Sequence, residues 1–127
     1  MAYPATYRYT REHEWVDTAT GNVGITDYAQ HSLGDIVFVE LPKVGATLEK
    51  GKVFGSVESV KSVSDLFAPV GGEVVEVNEE LNASPEKIND NAHESWIMKL
   101  TLSDPAQLES LLDATAYEKY IAEETGH

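Results

Sequence analysis

Lys61 is the residue of this 127-residue chain whose type and setting best suit covalent chemistry. It stands in the middle of residues 55–66, whose sequence is GSVESVKSVSDL. A lysine amine presented at the tip of a hairpin can carry a cofactor through an amide bond, and a modifying enzyme can reach it without unfolding the chain. Most lysines in turns are only solvated charges, so the neighbouring residues must decide between these two roles.

The segments on either side of Lys61 alternate with a period of two, which is typical of β-strands. Residues 58–62 between them are short and polar enough to form a turn. The pattern therefore predicts a β-hairpin with Lys61 at its tip. The alternating positions are Val53, Gly55 and Val57 against Phe54, Ser56 and Glu58 before the turn, and Val63, Asp65 and Phe67 against Ser62, Ser64 and Leu66 after it.

Other catalytic or metal-binding patterns are missing from the sequence. The four histidines show no pair at the i, i+4 spacing of helical zinc ligands, and no HExxH, P-loop, G-x-S-x-G or G-x-G-x-x-G motif occurs. The chain has no cysteine, which excludes disulfides, catalysis by a protein thiol and cysteine-ligated zinc. These absences favour a binding or carrier protein over an enzyme.

The chain is strongly acidic, with 22 acidic and 9 basic residues and a formal charge of −13. This charge opposes binding to nucleic acid or to anionic lipid. It suits either docking to basic clefts of partner proteins or solubility alone. No apolar run reaches the roughly 20 residues of a membrane span, and the N-terminus has no secretory signal. We expect a bacterial cytoplasmic protein, or a mitochondrial matrix protein if a transit peptide has been removed.

The remaining segments predict a mainly β chain with short helices. Asp27 is a candidate cap for a short helix that Gly34 ends, residues 81–94 are irregular, and Asp104 with Pro105 begins a C-terminal helix that restarts at Thr115. The motif PKVG at 42–45 is repeated weakly as PVGG at 69–72; this echo reflects either chance or two similar β-units with Lys61 in the connection between them. The predicted strands are residues 6–16, 22–26, 35–41, 73–77 and 96–102.

The sequence around Lys61 resembles the lipoylation region of the glycine cleavage system H protein family. The similar residues there are ESVK at 58–61, SD at 64–65 and APVGGEVVEVN at 68–78. Further similar segments lie in the same order along nearly the whole chain: HEWV at 13–16, VGITDYAQ at 23–30, LGDIVFVELPKVG at 33–45 and ESLLDATAYEKY at 109–120. Their combination is far more specific than ESVK alone.

The resemblance implies roles for individual residues. Lys61 would be the N6-lipoyllysine, with lipoate attached covalently. Glu58 and Gly72 stand where the family places residues recognised during lipoate attachment, although turn geometry would equally explain Gly72. Glu14 and Asp65 match acidic positions near the bound aminomethyl group, where a carboxylate would favour a cationic amine; the alternative is that both are solvated charges.

The chain departs from the family pattern at three places. AHES at 92–95 replaces a Pro-Tyr-Gly-like loop found in many members, and Ser62 replaces the commoner alanine after the lysine. Ser32 occupies a position where some members have histidine, while His31 lies one residue earlier. We therefore do not carry over a histidine role in the pocket of the lipoyl arm.

The resemblance also implies the fold. We expect one lipoyl-carrier domain over residues 1–127, built as a flattened barrel-sandwich hybrid of the lipoyl/biotinyl type. Its hairpin core would span about 22–102 and a C-terminal helical pair about 104–124. The expected core residues are Val37, Val39, Leu41, Val57, Val75 and Trp96.

The implied function is a non-catalytic shuttle. The lipoyl arm would receive the aminomethyl group of glycine from a glycine decarboxylase, deliver it to an aminomethyltransferase and be reoxidised by a dihydrolipoyl dehydrogenase. A lipoate ligase or octanoyltransferase would attach the arm. Tethering would raise the effective concentration of the arm at each partner.

Three alternatives remain open. A biotin carrier shares the hairpin fold, but methionines should flank its lysine, whereas Val60 and Ser62 flank Lys61. An unmodified adaptor, or a platform that passes lipoate to other enzymes, fits the same sequence. An enzyme in its own right is least consistent with the absence of a catalytic constellation.

Overall fold

The computed structural model describes residues 3–125. Within that range the chain forms strands, short helices and one longer C-terminal helix. The strands are β1 Tyr7–Tyr9, β2 Glu14–Asp17, β3 Asn22–Ile25, β4 Ile36–Glu40, β5 Thr47–Leu48, β6 Val53–Ser59, β7 Val63–Phe67, β8 Gly72–Val77 and β9 Met98–Leu102. The helices are α1 Asp27–Leu33, α2 Glu80–Ala83, α3 Lys87–Asp90 and α4 Ala114–Thr125, with a 3-10 helix at Pro105–Ser110.

The strands form two antiparallel sheets that do not close into a barrel. The larger sheet has the order β1-β2-β3-β9-β8-β5, and the smaller has the order β4-β6-β7. The predicted class, mainly β with added helices, is confirmed. The segment predicted as one strand over 6–16 divides into β1 and β2, which pair with each other across a turn that contains His13 at a φ of 74°.

The predicted hairpin is present. β6 and β7 pair antiparallel, from Val53 opposite Phe67 to Glu58 opposite Val63. β6 also pairs with β4, so one arm of the hairpin is the central strand of the smaller sheet. The turn is thereby attached to three strands rather than two, which fixes the direction in which its tip projects.

The main apolar core contains residues from both sheets. Val39 and Val57 are buried as predicted, and Leu41 and Trp96 are partly buried against apolar clusters. The expectations for Val37 and Val75 were wrong, because these side chains are 51% and 42% exposed. The fully buried members of the core include Val16, Val23, Val57, Val70, Val74, Leu81, Ile88, Ile97 and Met98.

Pairing irregularities and alternation explain the two errors. The register of β4 against β6 shifts between Ile36 and Phe38, so Val37 is extruded beside an outward-facing Phe38. In β8 the strand alternation directs Val74 into the core, and its neighbour Val75 faces outward. A run of consecutive apolar residues in the sequence does not indicate which of them faces inward.

The helix caps also differ in position from those expected. Thr26, not Asp27, caps α1: its hydroxyl accepts the backbone N–H of Ala29. Asp113, not Thr115, accepts the N–H of Ala116 at the start of α4. Asp104 caps the Pro105–Ser110 segment as predicted, although that segment is a 3-10 helix.

An aromatic cluster packs α4 against the first strands. The rings of Tyr9 and Tyr117 stack with centroids 4.8 Å apart, and Tyr7 stacks on Trp15 at 4.4 Å. This packing fixes β2 and the turn before it, which carry His13 and Glu14. None of the helices within residues 3–125 has the length and apolar character needed to cross a membrane.

Candidate functional site

Ser59 organises the turn that presents Lys61. Its hydroxyl oxygen accepts the backbone N–H groups of Lys61 and Ser62, each at 3.1 Å. The hydroxyl also donates to the Ser62 carbonyl at 3.3 Å, and the Val60 N–H donates to the Asp35 carbonyl. Sequence reasoning missed Ser59, although a serine two residues before the tip is a common signal for local side-chain-to-backbone bonding.

The side chain of Lys61 is exposed and extends to the end of α1. Its ammonium donates to the carbonyl oxygen of Ser32 at 3.3 Å. Gly34, which ends α1 at a φ of 82°, lies directly beneath: a Cβ there would be 2.8 Å from Lys61 Cε. The last carbonyls of a helix lack intrahelical partners and carry partial negative charge, so they suit a lysine ammonium.

A cavity of about 200 Å³ adjoins the end of α1 that Lys61 contacts. Ser32, whose carbonyl contacts the ammonium, is among the lining residues. The lining combines an apolar part, which suits a hydrocarbon chain, with two carboxylates, which suit a cation. The residues that line it are Glu12, His13, Ile25, Ala29, Ser32, Leu33, Ser64, Asp65 and Leu66.

The two predicted acidic residues occupy different environments. Asp65 is exposed and lines the cavity. Glu14 is only 1% exposed and does not line it; its carboxylate accepts the Thr10 hydroxyl at 2.6 Å and the Phe67 N–H at 3.2 Å. Burial raises the pKa of Glu14 to about 7, although both hydrogen bonds act to lower it. Glu12, which sequence reasoning did not select, lines the cavity instead.

The two residues predicted to guide lipoate attachment are also in different settings. Glu58 is exposed on β6, opposite Phe38 of β4 and Val63 of β7. Gly72 is buried in the larger sheet between β5 and β9, where a Cβ would lie 2.4 Å from the Thr101 carbonyl oxygen. Close strand packing therefore accounts for Gly72 as a glycine. Gly45, in the turn after β4, has a positive φ of 94°.

His13 and His93 are tied to the scaffold. His13 Nδ1 lies 2.8 Å from the Tyr117 hydroxyl, and His93 Nε2 accepts the N–H of Asp27. Burial lowers the pKa of both imidazoles, against the opposing effect of nearby carboxylates. Across residues 3–125 no group of three or more histidine or acidic side chains is arranged to hold a metal ion.

Comparison with known proteins gives a consistent result. A family profile described as "Glycine cleavage H-protein" matches residues 7–124. Two proteins named "Glycine cleavage system H protein" are similar over the full length of both chains: one from Acidobacterium capsulatum at 74% identity and one from Koribacter versatilis at 65%.

A solved structure agrees with these sequence matches. The crystal structure of a glycine cleavage system H protein from Mycobacterium marinum superposes with a TM-score of 0.80 at 37% identity, covering 98% of this chain and 100% of that one. The chain therefore belongs to the glycine cleavage H-protein family, the lipoyl-bearing carriers of the glycine cleavage system.

Proposed function

We propose that Lys61 carries a lipoyl group in amide linkage and that residues 1–127 form one lipoyl-carrier domain. In this role the chain moves the aminomethyl group of glycine from the glycine decarboxylase to the aminomethyltransferase, and passes electrons to the dihydrolipoyl dehydrogenase. The observation that carries the proposal is an exposed lysine at a hairpin tip beside a cavity, in a chain of this family. The relatives described above are bacterial, which supports the proposed cytoplasmic location.

The residues around Lys61 fit a lipoyl group. The tip is open to an attaching enzyme, and the cavity reached through Ser32 offers apolar contacts from Ile25, Ala29 and Leu33. When bound, the group supplies the dithiolane chemistry that accepts the aminomethyl group and the electrons. The chain itself supplies a fixed tether, which keeps the arm at high effective concentration near each partner.

The cavity would shelter the loaded end of the arm. Asp65 and Glu12 line it and are exposed, so either carboxylate can accept hydrogen bonds from a primary ammonium group. The apolar part of the lining lowers the local polarity, which strengthens such a charged contact relative to one in bulk water. We assign the direct contact to Asp65. Glu14, which is buried behind Thr10, supports the cavity by holding the Phe67 N–H at the end of β7.

Glu58 and Gly72 complete the proposal as residues recognised by the lipoate ligase or octanoyltransferase. Glu58 is three residues before Lys61 on an exposed face, so an enzyme that reaches the tip can contact it. Gly72 is buried, so its effect would be indirect, through the position of β8.

The experiment that tests the shuttle is a glycine–bicarbonate exchange assay with the glycine decarboxylase. The lipoylated chain should support exchange, and a Lys61→Arg variant, which keeps the charge but cannot take the lipoyl amide, should not. A lipoylated chain that supports no exchange would contradict the shuttle and favour a scaffold or a platform that relays lipoate.

A further inference from the structure

Four large apolar side chains are exposed around the tip of the Lys61 hairpin. Phe38 and Val37 are each 51% exposed, Val60 is 67% exposed and Val63 is 65% exposed. We call these four residues the tip patch. Exposed apolar side chains that cluster, rather than occur singly, mark interaction sites on soluble proteins.

The register of the smaller sheet places part of this patch in one row with Glu58. Phe38 lies opposite Glu58, and Glu58 lies opposite Val63, so the three side chains cross the outward face from β4 to β7. The irregular pairing between Ile36 and Phe38 leaves Val37 exposed next to this row. Val60 precedes Lys61 in the turn itself.

The next outward row is acidic. Glu40 lies opposite Ser56, and Ser56 lies opposite Asp65. No lysine or arginine occurs within β4, β6 or β7. The outward face therefore carries apolar side chains around Glu58 near the lysine, and acidic side chains without apolar neighbours in the row farther from it.

The core does not need the tip patch. The opposite side of the same three strands already supplies buried residues, such as Ile36, Val57 and Leu66. Exposed valine and phenylalanine in these positions lower solubility without filling a cavity. Their presence around the modified lysine calls for a partner that covers them.

The reaction at Lys61 indicates which of the four partner enzymes covers the tip patch. An attaching enzyme must bring the carbonyl carbon of its acyl donor into bonding contact with Lys61 Nζ, so its surface must cover the turn. The other three enzymes act at the far end of the lipoyl arm, so their chemistry does not itself require that they cover the turn. The carboxylates around the patch and the overall charge of −13 favour an enzyme whose binding surface is bordered by basic residues.

We propose that the tip patch, together with Glu58, is the docking surface for the enzyme that attaches the lipoyl group. The complementary surface is an apolar centre bordered by lysine or arginine side chains. This inference rests on the proposed function of Lys61, and it adds Val37, Phe38, Val60 and Val63 to the determinants of attachment.

With a lipoate ligase that uses lipoate and ATP, the attachment step that this docking serves is an acyl transfer from an acyl adenylate. The Lys61 ammonium first leaves the Ser32 carbonyl and loses a proton. The amine nitrogen then forms the amide bond to the acyl carbon, while the bond from that carbon to the phosphate oxygen breaks and AMP leaves with the electron pair. A second proton leaves the nitrogen, so no oxidant or reductant is required.

The test uses two double variants of the full-length chain. Phe38→Thr with Val63→Thr removes apolar surface from the tip patch while keeping residues that suit strands. Val44→Thr with Val75→Thr is the matched control, because these side chains are 61% and 42% exposed and lie outside the patch. For each protein, kcat/KM for lipoylation by a purified lipoate ligase with lipoate and ATP is measured. Each variant is then lipoylated to completion and tested in the glycine–bicarbonate exchange assay.

We expect the tip variant to lower kcat/KM for lipoylation by roughly tenfold or more, as for loss of a central apolar contact. The control should stay within about twofold of wild type. Once fully lipoylated, both variants should support exchange at the wild-type rate.

Two results would overturn the docking surface while leaving the carrier role intact. In one, the wild-type chain is lipoylated normally and the tip variant is lipoylated as fast as the control. In the other, the lipoylated tip variant loses exchange activity as severely as it loses lipoylation, which would assign the patch to the decarboxylase. A wild-type chain that accepts no lipoyl group would instead overturn the proposed function, and this inference with it.

Discussion

The ammonium of Lys61 donates a hydrogen bond to the backbone carbonyl of Ser32, 3.3 Å away at the end of α1. The unmodified lysine thus lies against the negative end of a helix, directly over Gly34. Acylation removes the positive charge of Lys61. The modified side chain therefore loses the electrostatic attraction that holds the amine at the end of α1. If Lys61 carries the proposed lipoyl group, the helix end and the adjoining cavity would offer the arm a surface to rest on.

Gly34→Ala tests the fit between the helix end and the lysine. Gly34 has a φ of 82° and a ψ of −159°, a region essentially reserved for glycine. We expect the free energy of unfolding, measured with urea, to fall by about 1–3 kcal/mol. Gly51→Ala is the control for positive φ alone, since its φ is 86° and a Cβ there would meet no atom within 4 Å. A loss in Gly34→Ala no larger than that in Gly51→Ala would contradict a tight fit between Gly34 and Lys61.

Ser59→Ala tests the organisation of the turn. The change leaves the N–H groups of Lys61 and Ser62 without their acceptor, so unfolding free energy should fall by about 1–3 kcal/mol. Lipoylation should also slow, because the amine loses its fixed direction, and Ser59→Thr should restore part of the rate. Ser62→Ala is the control, since the backbone of Ser62, not its side chain, takes part in these bonds. If Ser59→Ala and Ser62→Ala are lipoylated at equal rates, Ser59 stabilises the turn but does not orient the amine for attachment.

Glu14→Gln tests the buried carboxyl. The pKa of Glu14 is raised to about 7 in the folded chain, so the folded state binds more protons than the unfolded state between its ordinary value and pH 7. Its contribution to stability is therefore fully present at acidic pH and is lost as pH rises through 7. At pH 8 we expect Glu14→Gln to be more stable than wild type, by on the order of 3 kcal/mol, with little difference near pH 4.5.

The measurement is urea unfolding of both proteins between pH 4.5 and 8. His13 and His93 have lowered pKa values, so their titration makes stability rise with pH. Both proteins contain these histidines, so the difference in stability between the two proteins reports on Glu14 alone. A difference that does not depend on pH would show that the pKa of Glu14 is not raised in the folded chain.

Asp65→Asn tests the cavity as a shelter for the loaded arm. Removing the charge should shorten the lifetime of the aminomethyl-loaded form by roughly tenfold, the loss of one charge-assisted hydrogen bond. Glu40→Gln is the control, because Glu40 lies in the same outward row but does not line the cavity. The lifetime is followed by mass spectrometry after the decarboxylase is removed, and equal lifetimes in the two variants would exclude contact between Asp65 and the amine.

The hairpin could be predicted from the sequence because alternation with a period of two is strong around residues 53–67. The mainly β class followed from further apolar segments separated by turn residues, whereas the lipoyl-type fold followed only from the family resemblance. The outward orientation of Val37 could not be predicted, because it depends on an irregular pairing between β4 and β6 that only the three-dimensional structure reveals. Neighbouring residues able to cap a helix, such as Thr26 and Asp27, are likewise not distinguished by sequence.

The candidate site was predicted only in part. Lys61 was selected from the hairpin pattern and Asp65 from the family resemblance; Asp65 lines the cavity, and Lys61 contacts Ser32, which also lines it. Ser32, Ser59 and Glu12 were not selected, because their roles arise from a carbonyl group, from local turn geometry and from the approach of two distant segments. Glu14 was selected from the same matches, yet its burial, which sets its protonation, could not be foreseen.

The central claim is that Lys61 is the attachment point of the lipoyl group, and intact-mass spectrometry tests it most directly. Wild-type chain treated with a lipoate ligase, lipoate and ATP should gain the mass of one lipoyl group, and peptide mapping should place it on Lys61. Lys61→Ala should gain none, while Lys50→Ala, which removes another exposed turn lysine, should gain one. An adduct that persists in Lys61→Ala, or a wild-type chain that gains no mass, would contradict the account.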